Sequence, residues 1–208
     1  MPDNHVVGTK REHIYELTLN RPDKRNALTF DMLAAVSDQV EALIHDPEIR
    51  VIILKGRGPV FSAGVDFQAL GMLVGRFMAD TAAGGGSIRA DIHKYQQYLN
   101  RLAAIELPII CAMHGRALGM SLELALACDI RLMSDDCRWG MYELRFGVIP
   151  DLGGTARLSK LLGPARAKEI LMAGREYPAR QALDWGLVNH LYPEKDPVSY
   201  THLRAHET

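Results

Sequence analysis

Glu123 and Glu143 lie twenty positions apart, each in a segment otherwise built of apolar residues and glycine. Glu123 is the only charge between Arg116 and Asp129. Glu143 falls in the run W-G-M-Y-E-L-R-F-G-V-I-P-D-L-G-G-T that covers 139–155. A carboxylate on an apolar helix loses solvation, so its neutral form is favoured and its pKa rises. Two such groups meeting in one pocket could divide acid and base duties near neutral pH.

Two glycine turns could supply the complementary electrophilic element. The loop F-S-A-G-V-D at 61–66 follows a strand, and its small residues let backbone amides approach a ligand closely. The turn Leu118-Gly119-Met120 opens a helix, whose first N–H groups have no partner within it and favour negative charge. If the Val65 and Met120 amides converge, they form a two-donor oxyanion hole, in which each donor is worth about 2.7–4 kcal/mol. Two ordinary turns with glycine at strained positions remain the alternative. Other glycine chemistries lack their patterns: no G-x-x-x-x-G-K-[ST] and no strand-linked G-x-G-x-x-G occurs. Ser62 sits in F-S-A-G rather than the G-x-S-x-G of a nucleophile elbow.

These groups need a scaffold of alternating strands and helices. Hydrophobic periodicity predicts strands over 14–20, 50–56, 109–113, 129–133 and 187–191. It predicts helices over 29–44, 95–105, 120–127, 165–172 and 179–185, with Leu33, Val36, Val40 and Leu43 on one stripe of the first. The segment 71–89 has little pattern, and 82–87 reads as a flexible run. Such alternation places the chain in the α/β class.

The 208 residues suffice for one domain with a substantial core. Lys plus Arg (24) nearly balance Asp plus Glu (25), so bulk charge implies neither a nucleic-acid nor a membrane partner. A local patch such as Lys24-Arg25 could still draw a small anion, or be a solvated turn. Cys111, Cys128 and Cys137 show no C-x-x-C spacing, and two lie in apolar runs, the pattern of reduced thiols in a cytosolic setting. No metal site is expected from them or from the eight scattered His, and His114 reads as a packed strand-end residue. Neither a signal segment nor a run of membrane-spanning length is apparent, so a cytoplasmic protein is expected.

Taken in order, F-S-A-G-V-D, H-G-R-A-L-G-M-S-L-E-L-A-L-A-C-D and Y-E-L-R-F-G-V-I-P-D-L-G-G-T-A-R-L resemble the enoyl-CoA hydratase/isomerase (crotonase) family. N-R-P-D-K-R-N-A-L, G-P-A-R-A-K-E and A-L-D-W-G-L-V-N follow the same pattern, from about residue 14 to 193. The resemblance implies a spiral of repeated ββα units that binds acyl-CoA thioesters and needs no cofactor beyond the coenzyme A of its substrate. It implies an oxyanion hole at the Val65 and Met120 amides, with Gly119 in the second turn. It also implies coenzyme A contacts around Ala63, Gly64 and Asp66, with Arg25 near the phosphates. Glu123 and Glu143 match the two acids of hydratases, so hydration of trans-2-enoyl-CoA, as in fatty-acid β-oxidation, is the expected reaction. A Δ3,Δ2-enoyl-CoA isomerase or an inactive acyl-CoA-binding homologue are the alternatives.

The sequence departs from the family pattern in places. Met120 and Ser121 stand where many relatives have glycine, and Tyr142 where proline is frequent. Asp151 adds a third carboxylate, expected to cap the helix starting near Gly153 rather than to shuttle protons as in an isomerase. Residues 1–197 are expected to form a core lacking the family's C-terminal trimerisation helices, and 198–208 reads as a non-native tail. The homotrimer or hexamer usual in the family is therefore expected to be impaired.

Overall fold

The computed structural model describes residues 5–82 and 87–193. β1 (Val6–Arg11) runs antiparallel to β2 (Ile14–Leu19), reversing through Glu12 in a left-handed conformation (φ 52°). β3 (Val51–Gly56), β4 (Ile109–Met113), β6 (Ile130–Ser134) and β9 (His190–Tyr192) then add in parallel, giving the order β1-β2-β3-β4-β6-β9. The central strands are buried on both faces, and Val51–Leu54 is accordingly an unbroken aliphatic run. Because side chains alternate across a strand, Ile52 and Leu54 enter the main core while Ile53 joins Ile110, Leu132 and Tyr192 on the opposite face.

A second, three-stranded sheet lies over the main core. It comprises β5 (Arg116–Leu118), β7 (Arg138–Gly140) and β8 (Tyr177–Pro178). Trp139 anchors it, stacking on Tyr177 at 5.0 Å and donating its indole N–H to the Pro178 carbonyl at 3.1 Å. Single parallel bridges, Leu28 to Val65 and Ser62 to Ala117, extend this layer into the preceding turns. Each circuit of the chain thus lays down a long strand, a short extended piece in the second layer, and a helix. The expected ββα spiral is the observed architecture.

Helices α1 (Phe30–Ala42), α2 (Phe67–Ala82), α3 (Ser87–Ala104), α5 (Gly154–Leu162), α6 (Pro164–Ala173) and α7 (Ala179–Asp184) wrap the outside, whereas the short α4 (Met120–Ala125) is buried along its whole length. Thr29 caps α1 by accepting the Met32 N–H, and Met32, Leu33, Val36 and Val40 carry its buried stripe.

The structure differs from the sequence expectation in four places. The segment read as patternless forms α2 and the first turns of α3, which begins at Ser87 rather than residue 95. Leu187 and Val188 are not strand residues; they close the turn after α7 and pack inward, so the last strand is His190–Tyr192. β1 is exposed beyond Val7 and so has no apolar face to alternate, and the strands of the small sheet have too few residues to show a period. Asp151 does not cap α5. Gly153 holds that position, with no side chain bonded to the helix start from there. The run read as flexible lies largely at 83–86, and the tail at 198–208, both outside the described residues. His114 follows β4 as expected, with Nε2 2.9 Å from the Gly58 carbonyl oxygen.

Candidate active site

Glu123 sits one turn into α4, and only 2% of its surface is accessible. Its Oε1 accepts the Leu152 N–H at 3.0 Å and the Gly154 N–H at 2.9 Å. The first N–H groups of a helix lack partners within it. Glu123 therefore caps α5 from another helix, in the place expected of Asp151. A Cβ on Gly154 would lie 2.8 Å from that oxygen, so the approach requires glycine. Burial pushes the Glu123 pKa up to about 8; the Gly154 bond opposes this, the charges of Glu143 and Asp151 add to it, and the Leu152 bond opposes it.

Glu143 opens the 3₁₀ turn Glu143–Phe146 that follows β7. Its Oε2 is buried without a hydrogen-bond partner among the described residues. Burial raises its pKa, its own and the Tyr142 backbone bonds lower it, and Asp151 raises it. Gly119 faces the other oxygen: a Cβ there would lie 2.7 Å from Oε1, and its backbone is left-handed (φ 52°). A side chain at 119 would meet both penalties. Asp151 lines the same cavity, and burial raises its pKa too.

The turn carrying Leu152 is held from below. Gln96 donates to the Asp151 carbonyl at 2.7 Å and Arg157 to the Leu152 carbonyl at 2.9 Å. Both residues escaped the sequence reading. Arg157 was visible inside G-G-T-A-R-L, whereas Gln96 bears no local signal because its partner is 55 positions away.

The two glycine turns lie against each other. A Cβ on Gly64, at φ 96°, would lie 2.7 Å from the Leu118 carbonyl oxygen. Leu28 donates to Gly64 O at 2.7 Å and accepts from Asp66 N at 2.8 Å, so the Val65 N–H between them points away from that strand. Met120 is the first residue of α4. Among the described residues neither the Val65 nor the Met120 N–H has an acceptor. Ser62 and Asn26 fix the first turn: Ser62 Oγ donates to Asn26 O at 2.7 Å and accepts the Gly64 N–H at 3.2 Å. The fully buried Asn26 amide donates to the Arg57 and Val60 carbonyls, both at 2.9 Å.

Glu123, Glu143, Ala63, Gly64, Val65, Gly119 and Met120 line one cavity of about 310 Å³. Arg25 and Asp66 do not. Arg25 is exposed in a left-handed turn, touching the site through its carbonyl, which accepts the Ala63 N–H at 2.9 Å. Asp66 caps α2: Oδ1 accepts from the Gln68 and Ala69 amides and Oδ2 from Arg21 at 3.1 Å. Burial opposes the ionised form of Asp66, but the Ala69 amide and Arg21 outweigh it, and the pKa falls. No cluster of His, Cys, Asp or Glu among the described residues could hold a metal ion, and no helix among them is long and apolar enough to cross a membrane.

The family profile described as "Enoyl-CoA hydratase/isomerase" matches residues 9–208. The chain belongs to that family. Among hydratase/isomerase relatives, "Probable enoyl-CoA hydratase echA8" of Mycobacterium bovis is 35% identical over 193 residues, covering 92% of this chain and 70% of the relative. The 2,3-dehydroadipyl-CoA hydratase of Escherichia coli is 32% identical over 197 residues, covering 95% of this chain and 72% of that protein. A crystal structure of an enoyl-CoA hydratase subunit I from Geobacillus kaustophilus superimposes with a TM-score of 0.86 at 34% identity, over 98% of this chain and 74% of that one.

Proposed function

We propose that the protein hydrates trans-2-enoyl-CoA thioesters, with Glu123 and Glu143 as the acid/base pair and the Val65 and Met120 amides as the oxyanion hole. The observation that carries this reading is the cavity itself, lined by two carboxyls of raised pKa and by two backbone N–H groups that have no acceptor among the described residues. The thioester oxygen, lodged between those donors, takes up charge as water adds to Cβ. In this reading the resting proton is assigned to Glu123, whose pKa burial raises to about 8. Neutral Glu123 holds the water by a hydrogen bond. Ionised Glu143 takes a proton from that water as its oxygen bonds to Cβ, and delivers one to Cα. Water supplies both the hydroxyl and the hydrogen, and each carboxyl ends as it began.

Arg25, beside the Ala63 turn, is placed in this reading near the coenzyme A phosphates, with Ala63, Gly64, Asp66 and Gly119 shaping the path between. Cytoplasmic residence and the absence of any separate cofactor belong to the same reading. The test is loss of the enoyl-thioester absorbance when crotonoyl-CoA is added to the purified chain. Turnover that disappears in both Glu123→Ala, which removes the water anchor, and Glu143→Gln, which removes the base, supports hydration. No turnover by a folded chain that still binds acyl-CoA overturns it.

A second reading, Δ3,Δ2-enoyl-CoA isomerisation, draws on Asp151, which lines the cavity beside Glu143 instead of capping a helix. An isomerase moves one proton between carbons and needs no activated water. Conversion of 3-enoyl-CoA that survives Glu123→Gln but not Asp151→Asn would favour it.

A further inference from the structure

The far end of the cavity differs in chemistry from the carboxyl end. Its walls come from α2, through Leu70, Leu73 and Phe77, and from α3, through Ile88 and Ile92. Phe30 and Tyr95 add a stacked pair, with ring centroids 4.1 Å apart and planes at 13°. The charged residues lining the whole cavity are Glu123, Glu143 and Asp151; no Lys, Arg or His lines it among the described residues. Apart from the hydroxyls of Tyr95 and Tyr142, the polar side chains lining the cavity are these three carboxyls. Among the described residues no cationic side chain lines the cavity to pair with an anion.

Resting on the hydratase/isomerase reading of this site, we infer that the chain takes enoyl-CoA thioesters whose acyl part is an uncharged hydrocarbon longer than four carbons, and rejects those ending in a carboxylate. Each methylene that leaves water for this wall favours binding, by up to roughly fourfold in affinity. A terminal carboxylate would lose its hydration with no cation to replace it, in a cavity already holding three acids. Similarity to a protein named for a dehydroadipyl substrate does not carry that substrate over to this chain. Val74 lines the same cavity from α2 and is 40% exposed, so a longer side chain there can be accommodated.

The experiment measures the affinities of butanoyl-, octanoyl- and adipoyl-CoA for the full chain by calorimetry, together with kcat/KM for the crotonoyl, 2-octenoyl and 2,3-dehydroadipyl thioesters. Octanoyl-CoA is expected to bind at least tenfold tighter than butanoyl-CoA, with adipoyl-CoA no tighter than butanoyl-CoA. Val74→Lys, which sets an ammonium at a half-exposed lining position of α2, is expected to raise the adipoyl-to-octanoyl affinity ratio at least fivefold. Adipoyl-CoA binding as tightly as octanoyl-CoA, or no gain from the longer chain, would overturn the inference, and the wild-type comparison decides this whether or not the variant folds. The binding order persisting while none of the three enoyl thioesters turns over would sink the hydration reading and leave the acyl selectivity standing.

Discussion

The two ends of the cavity are built by opposite means. At the carboxyl end buried hydrogen bonds fix the scaffold: Asn26 and Ser62 hold one glycine turn, and Glu123 ties α4 to the start of α5. At the acyl end two helices present apolar side chains, several of them half in water, as with Phe77 at 45% exposure. Directional bonds define the first region and area alone defines the second. Position is therefore costly to change where chemistry is proposed, and cheap to change where chain length is read.

Substitution should expose that contrast, most strongly at the acids. Glu143→Gln keeps the shape but removes the base, and kcat on crotonoyl-CoA should fall by about 10²–10⁴-fold. Affinity for a saturated acyl-CoA should change little, and calorimetry would detect a wider loss.

Below that effect stands the scaffold. Leu99 on α3 is 1% exposed in the main core, and Leu99→Ala should cost about 2–5 kcal/mol in urea denaturation. A cost under 1 kcal/mol would mean that α3 is loosely docked and that the helical wall cannot hold a defined cavity.

The next prediction concerns pH. Glu123 has a folded pKa raised to about 8 from an unfolded value near 4.5. The folded state binds its proton more tightly, so this contribution is fully present below about 4.5 and is lost as pH rises through about 8. Glu123→Gln keeps an oxygen for the Leu152 and Gly154 amides and cannot ionise. Its melting temperature should exceed that of the wild type at pH 9, by a few degrees or more, and the gap should close by pH 5. In the wild type kcat/KM should fall on the alkaline side near pH 8, where Glu123 acquires its charge. An activity plateau through pH 10 would remove Glu123 from the mechanism.

The smallest expected effect is at the acyl wall. Phe77→Ser should shift stability by well under 1 kcal/mol, because the side chain is already half solvated. The same change should lower the octanoyl-over-butanoyl preference by several-fold. A large loss of stability would show that α2 is part of the folding core.

Periodicity revealed the central strands and α1 because each buries a face long enough to repeat. It failed for α2, where Ala69 alone among the described side chains is buried, Leu70, Leu73 and Phe77 line the cavity, and Phe67 and Met72 are exposed, so its apolar residues mark no single core-facing stripe. The two acids were legible as charges in apolar surroundings, and the glycine turns as places where a Cβ would not fit. Gly119 and Gly154 extend that logic: each is small because a carboxyl presses on it, which only the three-dimensional pairing reveals. Asp151 misled because D-L-G-G-T has the spacing of a helix cap. The carboxyl that caps lies 31 positions from Gly154, beyond the reach of any local rule.

The bonds from Leu152 and Gly154 to Glu123 Oε1 have one more consequence. Backbone amide protons resonate further downfield when their acceptor becomes anionic. In a ¹⁵N-labelled sample these two cross-peaks would titrate with the carboxyl they touch, so the molecule carries its own spectroscopic gauge of the proton, readable residue by residue without any substrate.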